Sequence, residues 1–415
     1  MTATTSTGPR DVTRRRVLGA ALAAGAAVPL AAVAGPARAD QGAPGAPAGP
    51  GPSGPAPTRL TLPAPTGPHP VGTVQLHLVD RSRPDDIAGP GHFRELMVTV
   101  WYPARDVERF PVAPWMQPAP LKAYLDAVGF GALADLAPVT SGHVGAPVLR
   151  SGRRLPVLLY SHGAHSHQGD HTTIVQQLAS HGYAVVTVAH TYDTFAEFPD
   201  GRLVAPLDHP TDASLPRGFA ADLRSVLDAV EQLAAGCNPD AERRALPAGL
   251  LGGLDLHRIG AFGWSKGGSA TACAMLDDRR IRAGLSLDAP MLMNPPLTGD
   301  LDRPFMLMTA EKTPTQEPAV ARFWTLLRGW RLAVQAQGAA HVSYGDDEAL
   351  FPQVAKLVGW SGQQLQDVIG TLDPDQGVRI QQAYPLAFFD QHLRERRDHL
   401  LDGPSPAFPA VTFLG

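Results

Sequence analysis

A serine in a glycine-rich turn is the residue of this chain best suited to chemistry. The run 263–267 reads Gly-Trp-Ser-Lys-Gly, a G-x-S-x-G motif, between a short apolar strand pattern at 259–262 and a run of small residues typical of a helix. Such a turn holds its serine in a strained conformation, and its glycines let neighbouring backbone approach without a Cβ. Ser265 Oγ would stand at the helix N-terminus, where free N–H groups favour developing negative charge. The motif predicts that Ser265 is a nucleophile; the alternative is an ordinary glycine-rich turn.

A serine nucleophile needs a histidine to take its proton and a carboxylate to orient that histidine. In chains with this motif, the acid and then the histidine follow the serine. The histidines downstream are His341, His392 and His399. His341 lies in a loop just after the predicted strand 331–334, whereas the other two fall in a charged segment. We therefore predict His341 as the base.

Two carboxylates compete for the role of the acid. Asp288 directly follows the predicted strand 283–287, and Glu311 lies just beyond the predicted strand 305–309. Both would stand at the carboxyl edge of a parallel sheet, where such sites assemble. The residue pattern alone leaves both open, and the position after the later strand favours Glu311.

The predicted donors for an oxyanion come from two loops. The apolar run 155–160 is typical of a buried parallel strand, and Ser-His-Gly-Ala follows it. The loop after this strand contributes one backbone N–H in serine hydrolases, which we assign to Ala164, and the residue after the nucleophile, Lys266, contributes the second. Nearby side chains expected to line a substrate pocket are His162, His165 and Trp264.

Four histidines crowd the segment 162–171, which raises the question of a metal site. Their spacing matches no zinc signature, and zinc usually needs further converging ligands. We therefore predict no metal. His190 and Asp193, which follow the next predicted strand, either touch the pocket or have a scaffold role, and the scaffold role is favoured.

Strand and helix patterns alternate through most of the chain, which predicts an α/β fold with a mostly parallel sheet and helices on both faces. Alternating apolar residues at 71–79 and 94–102 predict an antiparallel hairpin at the sheet edge. The stretch 104–154 has no strand signal and one predicted helix, 119–128. An insertion of this kind is typical of a lid or pocket wall.

The N-terminal region has the pattern of a twin-arginine signal peptide over residues 1–39. Thr-Arg-Arg-Arg precedes an Ala-rich apolar run at 19–34, and Ala-Arg-Ala at 37–39 offers a cleavage site. The apolar run is too short and too rich in Ala and Gly for a good membrane anchor. Residues 40–70, dense in Pro, Gly and Ala, predict a disordered linker, and 71–415 the folded domain. This organisation predicts secretion.

Bulk composition narrows the function classes. The chain has 415 residues, 44% hydrophobic and 18% charged, with a formal net charge of −4, which argues against nucleic acid as a partner. The two cysteines, Cys237 and Cys273, exclude a disulfide framework.

Five segments in order, LPVLLYSHGAHSHQGD, GAFGWSKGGSA, AGLSLDAPM, RPFMLMTAEK and HVSYGD, resemble the platelet-activating-factor acetylhydrolase family of the plasma, or group VII phospholipase A2, type. The resemblance covers about residues 71–400 and implies the α/β-hydrolase fold. It places the family's nucleophile on Ser265, its acid on Asp288 and its base on His341. Lys266 departs from the apolar or aromatic residue expected after the serine.

By this resemblance, the expected reaction is hydrolysis of a carboxylic ester with a short or oxidised acyl group, without calcium or another cofactor. The expected substrate is a small or lipid ester. We expect the enzyme to be a monomer that contacts a lipid surface transiently. A cutinase-like or polyester-degrading enzyme and a dienelactone-hydrolase-like enzyme are alternatives. A binding protein of the same fold that lacks catalysis is an alternative of another class.

Overall fold

The computed structural model describes residues 59–150 and 152–414. The predicted signal peptide and the predicted linker up to residue 58 lie outside this range. The strands are β1 Val71–Pro84, β2 Phe93–Pro103, β3 Val112–Pro114, β4 Val139–Val144, β5 Leu155–Ser161, β6 Ala184–Ala189, β7 Ala196–Glu197, β8 Leu203–Val204, β9 Leu254–Trp264, β10 Ala283–Leu287, β11 Phe305–Thr309, β12 Arg331–Ala336 and β13 Val411–Leu414. The α-helices are α1 Pro118–Ala127, α2 Thr172–Ser180, α3 Pro216–Ala234, α4 Lys266–Asp277, α5 Pro318–Leu326, α6 Asp347–Val358, α7 Gly362–Ile369 and α8 Pro374–Arg394.

An 11-stranded sheet organises the chain, in the order β13-β12-β11-β10-β9-β5-β6-β2-β1-β4-β3. The six strands from β12 to β6 are parallel, and β13 pairs with β12 in the antiparallel sense. Strands β5, β6, β10 and β11 are buried along their whole length because helices cover both faces. This architecture confirms the predicted α/β fold, and β10 and β11 have the predicted bounds.

Successive residues of β5 point to opposite faces of the sheet, and each face has its own core. Val157 and Leu159 join the cluster that includes residues of α3, α4 and α5. Leu158 and Tyr160 join the cluster that includes residues of α2 and α8. The carboxyl ends of the parallel strands are thereby held between two packed layers. Among the described residues, no helix is long and apolar enough to cross a membrane.

The predicted hairpin is confirmed as β1 and β2, but it does not form the edge of the sheet. Strand β4 pairs in parallel with β1, and β3 pairs with β4 beyond it. The expectation of an insertion without strands is therefore wrong. Strand β4 was missed because it is short and polar. Gly142 lets β4 approach the hairpin, since a Cβ there would lie 2.5 Å from the Thr73 side chain and 2.8 Å from the Trp101 ring. The predicted helix of the insertion is α1.

Residues 59–70 are ordered, so the predicted disordered linker is wrong for this part. The Thr66 N–H donates to Gln177 Oε1 at 2.7 Å, and the side-chain amides of Gln176 and Gln382 donate to the carbonyls of Pro63 and Ala64. A proline-rich segment lacks the N–H groups for a strand ladder. Here glutamine amides of α2 and α8 pair with its backbone instead.

Candidate active site

Ser265 occupies the sharp turn between β9 and α4. Its backbone has φ 53° and ψ −120°, and its N–H donates to the carbonyl of Leu287 at 2.9 Å. A Cβ on Gly263 would lie 2.3 Å from the carbonyl carbon of Gly267, and a Cβ on Gly267 would lie 2.0 Å from the Ser161 carbonyl oxygen. Both glycines are therefore required for this turn. Ser265 lines a cavity of about 280 Å³, called the serine cavity below.

Asp288 and His341 form a hydrogen-bonded pair. Asp288 is fully buried directly after β10, and its Oδ2 lies 2.6 Å from His341 Nδ1. Its Oδ1 accepts the backbone N–H groups of Ala310, Glu311 and Lys312 at 2.8, 2.9 and 2.7 Å. The carboxyl group is thus held in place by three main-chain donors. The Glu311 side chain is exposed, and its contribution to this pair is its backbone N–H.

Trp264 connects the serine turn to the histidine. Its Nε1–H donates to the His341 carbonyl at 2.8 Å, and the two rings lie 5.0 Å apart at an interplanar angle of 35°. The His341 side chain is 18% exposed. No hydrogen bond joins Ser265 Oγ to His341 among the described residues, and such bonds often tighten only when substrate binds.

The two predicted oxyanion residues both line the serine cavity. Ala164 lies in the loop after β5, and Lys266 begins α4. His165, the next residue of the loop, has φ 55° and is exposed, and its N–H donates to Asp193 Oδ1 at 2.5 Å. The other oxygen of Asp193 forms an ion pair with Lys266 Nζ.

His162 does not line the serine cavity, contrary to the prediction. It is fully buried, with Nδ1 donating to the Gly163 carbonyl at 2.7 Å and Nε2 accepting the His190 N–H at 3.1 Å. Burial and the neighbouring His190 lower the pKa of His162 to about 4, so it is neutral. Its ring packs between those of Phe219, on α3, and His190, with centroids 5.4 and 5.0 Å away, so it is part of the buried layer.

A charged network lies beneath this loop. His190 bonds to Ser161 Oγ at 2.8 Å and to Asp222 Oδ2 at 3.0 Å. Asp222, on α3, also accepts two hydrogen bonds from the Arg94 guanidinium and pairs with Arg83 at 2.8 Å. Burial of Asp222 opposes ionisation, but Arg94 and His190 outweigh it and hold its pKa well below the usual range. Sequence reasoning missed Asp222 and Arg94, because their partners are distant in the chain.

A second cavity, of about 100 Å³, shares Ala164 and His165 with the serine cavity; we call it the aromatic cavity. Ala164, His165 and Trp264 all line the aromatic cavity. Of the three predicted pocket residues, His165 and Trp264 therefore line a cavity, and His162 does not. Its remaining wall is mostly apolar and includes Trp115, Tyr124, Val128, Phe130, Leu350 and Phe351. Asp347 is a polar exception, and burial followed by repulsion from Asp346 raises its pKa to about 7. Among the described residues, no group of three or more His, Cys, Asp or Glu side chains is arranged to hold a metal ion.

The strained serine at the end of a parallel strand, with an Asp-His pair on later strands of the same sheet, defines an α/β-hydrolase. Residues 56–197 match the family model of platelet-activating factor acetylhydrolase, isoform II. A probable 1-alkyl-2-acetylglycerophosphocholine esterase of Arthroderma benhamiae is 27% identical, over 86% of this chain and 95% of its own. The platelet-activating factor acetylhydrolase of Cavia porcellus is 22% identical, over 80% of this chain and 78% of its own.

A solved structure points to the same chemistry. A ferulic acid esterase from Streptomyces cinnamoneus is 31% identical, with a TM-score of 0.72, over 86% of this chain and 99% of that one. The chain is a carboxylic ester hydrolase. The family model and the curated relatives support the platelet-activating-factor acetylhydrolase-like family of the α/β-hydrolase superfamily, as the sequence resemblance indicated.

Proposed function

We propose that this chain is a secreted serine esterase in which Ser265 is the nucleophile, His341 the base and Asp288 the acid. The observation that carries the proposal is the 2.6 Å contact of Asp288 Oδ2 with His341 Nδ1, next to the strained turn of Ser265. A carboxylate at Nδ1 fixes the tautomer in which Nε2 is free to accept a proton.

In the first step, Ser265 Oγ attacks the ester carbonyl while His341 Nε2 takes the serine proton. The carbonyl oxygen becomes an oxyanion, which the backbone N–H groups of Ala164 and Lys266 stabilise, each worth about 3 to 4 kcal/mol if typical. His341 then gives the proton to the leaving alcohol. In the second step, His341 takes a proton from water, the resulting hydroxide attacks the acyl-enzyme, and the acid is released as Ser265 regains its proton.

The acyl group is short or compact. The aromatic cavity supports this, because it shares Ala164 and His165 with the serine cavity and holds only about 100 Å³. The name of the Arthroderma relative refers to an acetyl ester, which fits the same size class. A compact aromatic acyl group is the second candidate, because Trp115, Tyr124 and Phe130 line this cavity and the solved relative is named a ferulic acid esterase.

The test is hydrolysis of p-nitrophenyl esters from acetate to palmitate, and of methyl ferulate, by the wild type and Ser265→Ala. We expect rates to be highest at acetate and butyrate, and Ser265→Ala to lose about 10⁶-fold in kcat. A rate that rises with chain length to palmitate contradicts the compact acyl group. Methyl ferulate as the best substrate selects the second candidate. Full activity of Ser265→Ala contradicts the mechanism.

Export is a separate part of the proposal and rests on the N-terminal pattern alone. Replacing Arg14 and Arg15 together by lysine should retain the enzyme inside the producing cell, because the paired arginines are the export signal. Esterase activity in the culture medium, measured with and without the substitution, checks this. Equal activity in the medium contradicts twin-arginine export.

A further inference from the structure

Lys266 places a positive charge directly after the proposed nucleophile, yet this charge is not free. Its ammonium forms an ion pair with Asp193 and lies 5.1 Å from the centroid of the Phe219 ring. The Asp193 side chain is only 1% exposed, and that of Lys266 is 20% exposed. A paired ammonium of this kind is poorly suited to bind an anionic substrate, because the partner charge cancels it.

The same carboxylate holds the opposite side of the serine cavity. Asp193 Oδ1 accepts the His165 N–H at 2.5 Å, and His165 has φ 55°, a left-handed conformation that non-glycine residues rarely adopt. This hydrogen bond fixes the peptide unit that directly follows Ala164. Asp193 therefore bonds to the neighbour of one proposed oxyanion donor and to the side chain of the other.

Asp193 is itself well anchored. Its N–H donates to the His190 carbonyl at 2.9 Å, and His190 is bound to Ser161 and Asp222 in the buried network. Strand β6, which precedes Asp193, pairs with β5, which precedes Ala164. The carboxylate thus projects from a fixed point of the sheet.

We propose that Asp193 and the Lys266 side chain are a positioning pair that sets the spacing of the two backbone oxyanion donors, Ala164 and Lys266. The inference rests on the proposed function of these donors. Neither side chain acts on the substrate. Their effect is to hold two N–H groups, carried by different strands, in the geometry that the oxyanion needs, since such donors work by preorganisation.

The test compares Asp193→Ala, Lys266→Met, Lys266→Arg and the double variant Asp193→Ala/Lys266→Met on neutral p-nitrophenyl acetate. A misplaced donor costs catalysis rather than ground-state binding, so Asp193→Ala and Lys266→Met should each lower kcat by about 10- to 100-fold and leave KM within about threefold. The double variant should lose no more than the worse single variant, because both remove one interaction. Lys266→Arg can keep the ion pair with Asp193 and should therefore retain most of the wild-type kcat.

Two further readouts separate positioning from a merely structural role. A trifluoromethyl ketone, which forms a tetrahedral adduct with the serine, should lose affinity by the same factor as kcat. The control is Asp278→Asn, which breaks the part-buried ion pair with Arg280 beyond the far end of α4 and should lower Tm without changing kcat.

Folded Asp193→Ala with wild-type kcat overturns the inference. If Asp193→Ala does not fold, Lys266→Met decides the question, and wild-type kcat in that variant also overturns it. Additive losses in the double variant contradict a shared role. The proposed function fails separately, through activity that survives Ser265→Ala.

Discussion

The proposed acid–base side of the site, Asp288 and His341, and its proposed oxyanion side, the donors of Ala164 and Lys266, are held in different ways. Asp288 is fixed by three main-chain N–H groups of the segment after β11, and its partner His341 is fixed through its backbone carbonyl by Trp264. The loop with Ala164 is instead fixed by charged side chains, namely Asp193, Lys266 and the buried network around Asp222. One side depends on backbone geometry, and the other depends on the identity of side chains far apart in the chain.

This difference has consequences for substitution. Main-chain donors persist whatever side chain they carry, so the acid–base side should tolerate changes near Asp288 but not at Asp288. The oxyanion side should lose stability or activity when any one charge is removed, because a buried partner is then left uncompensated.

The largest effect is expected at Asp288. Asp288→Asn should lower kcat for p-nitrophenyl acetate by about 10⁴-fold, because an amide no longer favours the productive tautomer of the histidine. Glu311→Gln is the matched control and should stay within about twofold of wild type, since Glu311 contributes a backbone N–H that the substitution keeps. Robust activity of Asp288→Asn together with loss in Glu311→Gln would assign the acid to Glu311.

On the oxyanion side, Asp222→Asn should reduce the free energy of unfolding by about 3 to 5 kcal/mol, because it leaves the buried Arg94 guanidinium without its counter-charge. Urea unfolding at pH 7 measures this. Lys122→Gln, which removes an exposed ion pair with Asp126 on α1, should cost about 0 to 1 kcal/mol. Equal losses in the free energy of unfolding for the two variants would show that the network around Asp222 does not stabilise the oxyanion side.

A smaller effect concerns Glu348, the second residue of α6, just after the histidine loop. It is fully buried, and burial raises its pKa to about 8. The folded state therefore holds this proton more tightly than the unfolded state, and stability falls as pH rises from about 4.5 to about 8, by up to about 1.4 kcal/mol per pH unit.

Glu348→Gln should reduce this slope and make the protein more stable at pH 8, as urea unfolding at pH 5, 6, 7 and 8 can determine. Asp347, whose pKa is also raised, keeps part of the slope in the variant. An unchanged slope in Glu348→Gln would show that Glu348 ionises normally in the fold.

The smallest effect is expected at a residue outside both the acid–base side and the oxyanion side. Gln177→Ala removes the acceptor of the Thr66 N–H and should cost about 1 kcal/mol of stability with kcat unchanged. Thermal unfolding and kcat on p-nitrophenyl acetate check both parts. A fall in kcat would extend the catalytic framework to the segment 59–70.

The proposed acid–base residues could be identified from the sequence because they follow local rules. Ser265 lies in a short motif, Asp288 ends an apolar strand whose bounds the sequence predicted, and His341 is the downstream histidine placed in a loop after a strand. The order of these residues in the chain and their positions just after strands were therefore enough to predict that they lie at one edge of the sheet.

The oxyanion side was less predictable because its interactions span long stretches of sequence. Asp193 and Lys266 are 73 residues apart, and Arg94 and Asp222 are 128 residues apart. Periodicity cannot report such pairs. One signal was present: a lysine beside a proposed nucleophile requires a carboxylate partner if it is buried, and Asp193 follows a predicted strand. Residues 59–70 are ordered, which the sequence also did not predict. The reason is similar, because the glutamines that bond to this segment are distant in the chain.

The ends of the large sheet bear on how copies of the chain meet. Of the described strands, β3 at one edge has 3 residues and ends in a proline, and β13 at the other edge has 4. Next to β3, strand β4 pairs with only Val71, Gly72 and Thr73 of β1, and farther along this edge the Asp240 carboxylate accepts the His77 N–H and the Ala241 N–H donates to the His77 carbonyl. Short edges of this kind discourage sheet-to-sheet association and aggregation. The insertion thus shields the start of β1 and the segment around Asp240 shields its middle, so an incoming strand meets an interrupted edge rather than a continuous one.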